Sequence, residues 1–176
     1  SKDRLKSWFR ENCDVRDDDG AERTLRTAVA ALPPEDVVEI LLAAATDHIY
    51  LNASHTLDFV NKACETLDHV GWEQAPDVLA STVEQFTHGA RAEEQSEWRQ
   101  PVDAVELVFD AQDSLDSLVA AGEGKSWERP DGFVETHLSD DPHEIMETVT
   151  GAITAGASAK QLTDAVAEAA TRRVAH

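Results

Sequence analysis

The chain has 176 residues, with 35 Asp and Glu against 15 Lys and Arg, a formal net charge of −20 and a mean hydropathy of −0.40. That balance excludes nucleic acid as a partner, because no basic stripe is present to neutralise phosphates, and it excludes docking on an anionic lipid surface. No apolar run approaches the ~18 residues of a membrane span, and the opening Ser-Lys-Asp-Arg-Leu lacks the apolar core of a signal peptide.

In chain order, residues 1–20 read as a short helix around Leu5, Trp8 and Phe9, then an acidic loop, Asp17-Asp18-Asp19-Gly20, suited to cap the next helix. A helix over 21–31 carries Leu25, Ala28 and Val29 on one face and stops at Pro33-Pro34. Pro34 suits the first turn of the next helix, and Glu35 and Asp36 suit the positive end of its dipole. That helix runs through Val37, Ile40, Leu41 and Ala43-Ala44-Ala45 toward Tyr50. Asn52 and Ser54 interrupt it, with Ser54 as an N-cap for a third helix carrying Leu57, Val60, Ala63 and Leu67 and ending at Gly71.

A fourth helix is expected over 75–91, with Val78, Leu79, Val83 and Phe86 inward. A polar stretch from Glu93 closes at Pro101, and a fifth helix over 102–120 carries Val105, Leu107, Val108, Leu115, Leu118 and Val119. Residues 121–132 are a Gly-rich loop. The sixth helix, over 142–155, is capped from Ser139, Asp140 or Asp141, and Gly156 ends it. Ser158 caps the seventh, which runs to the last residue. Nothing alternates with the period of a strand.

The fold class is therefore all-α, a bundle or array of about six to seven helices built from helical hairpins. The domain reading is a short N-terminal piece over 1–20 and a single all-α domain over 21–176, the latter the N-terminal part of a longer protein. An internal repeat relates about 21–70 to 145–176: at an offset of 125, Val37 meets Leu162, Glu39 meets Asp164 and Ala44-Ala45-Thr46 meets Ala169-Ala170-Thr171. Alanine-rich helices match one another by chance, which is the competing account. A true repeat stops short at His176 and leaves an apolar edge, to be covered by a second copy or by a domain beyond this chain.

With only five lysines (Lys2, Lys6, Lys62, Lys125, Lys160), the acidic surface reads as adaptation to concentrated salt. Like charges on a compact globule repel, and at ~1 M salt the screening length falls to ~3 Å. A halophile's cytoplasm is the simplest setting. Cys13 and Cys64 show no metal-site or redox spacing and read as two idle thiols.

Candidate chemistry rests on the histidines. His48 and His55 stand seven apart, on one face if the helix is continuous, His55 precedes Asp58 by three and Glu84 precedes His88 by four. A carboxylate and a histidine from each of two facing helices build iron or other transition-metal sites in bundles, so His48, His55, Glu84 and His88 form a candidate metal set. Against it, an acid lies three or four residues from a histidine often by chance in so acidic a chain, and ordinary surface or hydrogen-bonded histidines account for the pattern equally. Trp98 and Arg99, with Glu94, form a candidate anion-binding pair, or a loop anchor. No phosphate-binding glycine motif, nucleophile elbow or zinc-protease motif occurs, and no catalytic residue is assigned by spacing.

Asp47-His48-Ile49-Tyr50, the run His55-Thr56-Leu57-Asp58-Phe59-Val60-Asn61-Lys62-Ala63, Glu94 through Pro101, and the terminal Ala-Ala-Thr-Arg-Arg-Val-Ala-His resemble a helical region of bacterial and archaeal proteins. Some of these carry a Rieske-type iron–sulfur domain, and a more distant resemblance is to questin-oxidase-like proteins. It spans about 20–176, implies an oxidoreductase context in a halophilic archaeon, and implies further chain past this point. The Cys/His pairs that ligate a Rieske cluster are absent here, so such a cluster would lie elsewhere. Two functions are expected: a helical module of a redox protein with a histidine-lined pocket, or a non-enzymatic interaction or oligomerisation module whose histidines are incidental.

Overall fold

A computed structural model describes residues 1–175, and His176, where the expected repeat stops, lies outside the described residues. The fold is all-α: ten α-helices and four short 3₁₀ turns, with no strand among the described residues. The count exceeds six or seven because a short N-terminal helix stands alone, one long helix is split, and a four-residue helix sits between the expected fifth and sixth helices. The chain divides into two compact units, Ser1–Ser96 and Glu97–His176, whereas the sequence pattern placed a boundary after residue 20. The two stretches of the expected repeat fall in different units.

In the first unit, α1 (Lys2–Asp14) lies along α2 (Asp18–Ala31) and against α3 (Pro34–Ala45). The Asp17 side chain caps α2 by accepting from the Gly20 N–H, and Pro34 occupies the first turn of α3. The long helix α4 (His55–Val70) packs on α3, and α5 (Ala75–Ala80) and α6 (Val83–Thr87) close over α2. Phe9 and Phe86 meet edge to face at 5.4 Å between ring centres, surrounded by the fully buried Leu25, Ile40, Leu41, Leu67 and Leu79.

Two expected helices end early. The helix read to Tyr50 stops at Ala45, where the Thr46 hydroxyl donates to the Leu42 and Ala43 carbonyls. Tyr50, Asn52, Ala53 and Ser54 then take left-handed φ values of 52°, 50°, 52° and 68°. The helix read over 75–91 breaks after Ala80. There Ser81 and Thr82 donate their hydroxyls to Val78 O and Leu79 O, competing with the helical ladder.

The second unit contains α7 (Ala104–Gly122), α8 (Phe133–Thr136), α9 (Pro142–Thr154) and α10 (Ala159–Val174). Asp103 caps α7 and Asp141 caps α9. Ser158 and Gln161 form a reciprocal capping box on α10. α7 runs against α9, and α8 bridges α9 and α10. The core here is thin. Trp127, Phe133, Val134, Ala152, Ala165 and Ala169 are its buried cluster, against nineteen residues in the cluster of the first unit.

Candidate functional site

Two residues of the candidate metal set, His48 and His55, are parted by the local backbone. The left-handed turn ends any shared helical face for His48 and His55, because the chain between them is not a continuous helix. His55 is the exposed first residue of α4, Glu84 is exposed on α6, and His88 follows the end of α6. Among the described residues, no group of three or more His, Cys, Asp or Glu side chains is placed to hold a metal ion.

Two of these histidines instead brace the first unit. The ring of His48 donates from Nδ1 to Glu93 Oε1 at 2.7 Å, and its Nε2 lies 3.7 Å from Asp14 Oδ1. Glu93 Oε2 also accepts from the Ile49 N–H at 3.1 Å, so one carboxylate ties ring and backbone together. His88 Nε2 donates to Asp18 Oδ2 at 2.7 Å, and the Thr87 hydroxyl donates to the other oxygen of the same carboxylate. Those two hydrogen bonds, Thr87 first, hold Asp18 below the usual aspartate range.

Arg91 is central to this bracing and was not singled out from the sequence. Its residue is 6 % exposed. Nη2 donates to the carbonyl oxygens of Cys13 and Asp14, both at 3.0 Å. Both carbonyls belong to the last turn of α1, where partial negative charge collects. Nη1 lies 3.5 Å from Asp14 Oδ1 and 3.6 Å from Glu94 Oε1. Arg10 grips Asp47 with two bonds of 2.7 and 2.5 Å, and Arg16 grips Glu94 with bonds of 2.8 and 2.7 Å. The Arg16 bonds hold Glu94 below the usual glutamate range.

The left-handed turn is fastened to the same segment. Asn52 N–H donates to Ala90 O at 2.7 Å, Ala92 N–H to Ile49 O at 3.0 Å, and Asn52 Nδ2 to Gln85 Oε1 at 2.7 Å. Such conformations cost roughly 1–3 kcal/mol each and persist only where surrounding bonds dictate them. Every one of these links is intramolecular and commits polar atoms to protein. The buried Cys13 thiol beside them is pushed up to about 12 by desolvation, which leaves no reactive thiolate.

The other candidate pair also turns inward. Arg99 donates to Asp103 Oδ2 at 3.0 Å, while Asp103 Oδ1 accepts from the Glu106 N–H at 2.8 Å. Arg99 thus steadies the cap of α7, and Glu94, expected beside it, is held by Arg16. Trp98 is half-buried.

A different surface is open. Val108, Leu115 and Val119 lie on α7 as the sequence pattern expects, and on this helix only Val105 and Gly122 are buried. Val108 is 37 % exposed, Phe109 38 %, Leu115 43 % and Val119 57 %. Val108, the half-buried Ala111, Leu115 and Val119 follow the spacing i, i+3, i+7, i+11, which keeps them on one face of the helix. That spacing was legible in advance. What was not legible is that α9 covers an adjacent arc of the helix and leaves this one free.

No protein-family model, no curated protein and no solved structure matches the chain. No helix of the described residues is long and apolar enough to cross a membrane.

Proposed function

We propose that the chain is a non-enzymatic protein-interaction module, built for concentrated salt, whose docking face is the apolar strip of α7. The observation that carries this reading is the exposure of Val108, Phe109, Leu115 and Val119 along one helix of a unit with a thin core. Contiguous exposed apolar side chains on an otherwise strongly charged protein mark interaction sites. Two of the three histidines that a redox reading would use carry structural bonds: His48 to Glu93 and His88 to Asp18. The acid excess supports a saline cytoplasm as the working medium.

The test is site-specific photocrosslinking in the native cells, with the crosslinker at Leu115 or Val119 and, as reference, at the exposed Asp131. A discrete protein adduct from the α7 positions and none from Asp131 is expected. Identical patterns from all three, or no adduct from α7, sink the reading. Protein purified without an affinity tag is expected to hold substoichiometric iron, zinc and copper, and a stoichiometric metal lost in His55→Ala/His88→Ala would restore the redox alternative.

A further inference from the structure

The strip on α7 ends in a cleft with a defined chemical character. The cleft encloses about 540 Å³ where the C-terminal ends of α7 and α9 meet, and its wall includes Asp116, Val119, Gly122, Glu123, Lys125 and Ile153. Val119 and Ile153 give it an apolar floor. Asp116 and Glu123 bring two carboxylates with no ion-pair partner among the described residues. Lys125 is the sole cation of the lining, and its Nζ donates to the Thr154 carbonyl at 2.9 Å; two carboxylates against one ammonium leave the lining net negative. Both helices present their C-terminal, partially negative ends there.

The same polarity continues along the helix. Between Arg99 and Lys125 there is no basic residue and there are six acids: Asp103, Glu106, Asp110, Asp113, Asp116 and Glu123. Of these, among the described residues, only Asp103 is paired with a cation, Arg99. A second copy of this chain would press acid against acid across an α7–α7 seam, within the ~3 Å that molar salt leaves unscreened, and like charges in direct contact are unfavourable.

We infer that α7 and its terminal cleft receive an amphipathic helix of another protein whose apolar stripe is flanked by lysine and arginine. This rests on the interaction reading above and specifies the partner. Apolar residues of the incoming helix cover Val108, Leu115 and Val119. One lysine or arginine lays its methylene stem on Val119 and Ile153 and its head between Asp116 and Glu123, the way long cationic side chains bury their stems and keep their charge satisfied.

The experiment uses the full chain at the lowest salt that retains its complete helical CD signal, with two fluorescent peptides of about three heptads that share leucine at a and d. One carries lysine at e and g and the other glutamate. Fluorescence anisotropy is expected to show the lysine peptide binding at least tenfold more tightly. The double variant Asp116→Asn/Glu123→Gln is expected to remove most of that preference, whereas Asp58→Asn/Glu84→Gln, which removes two acids of the first unit, keeps it within about twofold. Leu115→Glu is expected to abolish binding of both peptides.

Equal affinity for the two peptides overturns the inference, as does an equal loss in the two double variants, which would mark a general attraction to an acidic protein. Absent peptide binding, with crosslinks from Leu115 persisting, overturns the basic helix and leaves the interaction reading standing. A dimer in sedimentation that dissociates in Leu115→Glu also overturns it, by naming a second copy as occupant.

Discussion

Arg91 Nη2 lies 3.0 Å from the carbonyl oxygen of Cys13, seventy-eight residues earlier in the chain, and it shares that donor group with the carbonyl of Asp14. A buried guanidinium thus terminates α1 and joins the start of the first unit to its last segment. Hydrogen bonds from charged donors contribute about 1.5–3 kcal/mol each, and a cation at a helix C-terminus adds a further fraction. Arg91→Met is therefore expected to cost about 2–4 kcal/mol in urea unfolding at fixed molar salt. Arg91→Lys should recover less than half, because one ammonium cannot stand at once where Nη2 meets the two carbonyls and where Nη1 faces the Asp14 and Glu94 carboxylates. A Lys variant as stable as the parent would show that charge alone, without the fork, caps α1.

Much of the helical framework was legible in the sequence because its signals are local. Pro34, Asp141 with Pro142, and Ser158 each mark a helix start through local residues, and all three are observed as starts. What was not legible depends on partners distant in the chain. Nothing near Arg91 announces that Cys13 and Asp14 will supply its acceptors. Nothing near His48 announces Glu93, and the left-handed run at Tyr50, Asn52, Ala53 and Ser54 exists because Ala90 and Gln85 hold it. The α7 strip shows the complementary difficulty. Its apolar period is plain in the sequence, but period alone cannot say whether a neighbouring helix covers it.

Asp18 makes a pH dependence that can be isolated. Its folded pKa is lowered by Thr87 and then by His88, so it stabilises the fold above its unfolded value near ~4 and loses that contribution as pH falls through the folded value. Acidification also neutralises part of the −20 charge and relieves repulsion, which works in the opposite direction. The difference between wild type and Asp18→Asn removes that common background. Urea midpoints of the two proteins are expected to be well separated at pH 7, to approach one another below about pH 4, and to meet once Asp18 is protonated in both states. A separation that stays constant down to about pH 2 would mean that the Asp18 carboxylate charge contributes nothing.

The two thiols should differ sharply in reactivity. Desolvation pushes Cys13 up to about 12, and the half-buried Cys64 is raised for the same reason. Since the thiolate is the reactive species, Ellman's reagent at about pH 8 is expected to modify Cys64 slowly and Cys13 only after denaturant is added. Mass spectrometry of the partly labelled protein assigns the order, and early labelling of Cys13 would contradict its burial beside the end of α1.

Gly122 closes α7 where the chain passes tightly over α9. A Cβ at this position would lie 2.2 Å from the Ile153 carbonyl oxygen and 3.2 Å from the Gly156 Cα. Both are backbone atoms, so the neighbour cannot rotate away as a side chain would. Gly122→Ala removes backbone freedom in the unfolded chain, which by itself stabilises by roughly 0.4–1 kcal/mol. The clash outweighs that gain, and a net loss of about 1–3 kcal/mol is expected. Because the displaced helices form the cleft, the variant should also weaken binding of the lysine-flanked peptide, and an unchanged melting midpoint would show that the helix ends separate at little cost.

Salt should act on this protein in two opposing ways, and the charge balance decides between them. Ion pairs such as Lys6–Glu39, Lys62–Glu65 and Lys160–Asp164 lie at the surface and weaken as salt screens them. Exposed pairs contribute about 0–1 kcal/mol each, so their loss is small. The acids outnumber the bases by twenty, and that excess has no internal partner. Its mutual repulsion is long-ranged at low salt and falls away as the screening length shrinks from ~10 Å at ~0.1 M to ~3 Å at ~1 M. The thermal midpoint is therefore expected to rise steadily between these concentrations in potassium chloride. Substituting lysine for several unpaired acids, Asp110, Asp113 and Asp131 among them, should flatten the rise. A midpoint independent of salt would show that the acidic surface is spread too thinly to strain the fold, and would remove the main support for a saline working medium.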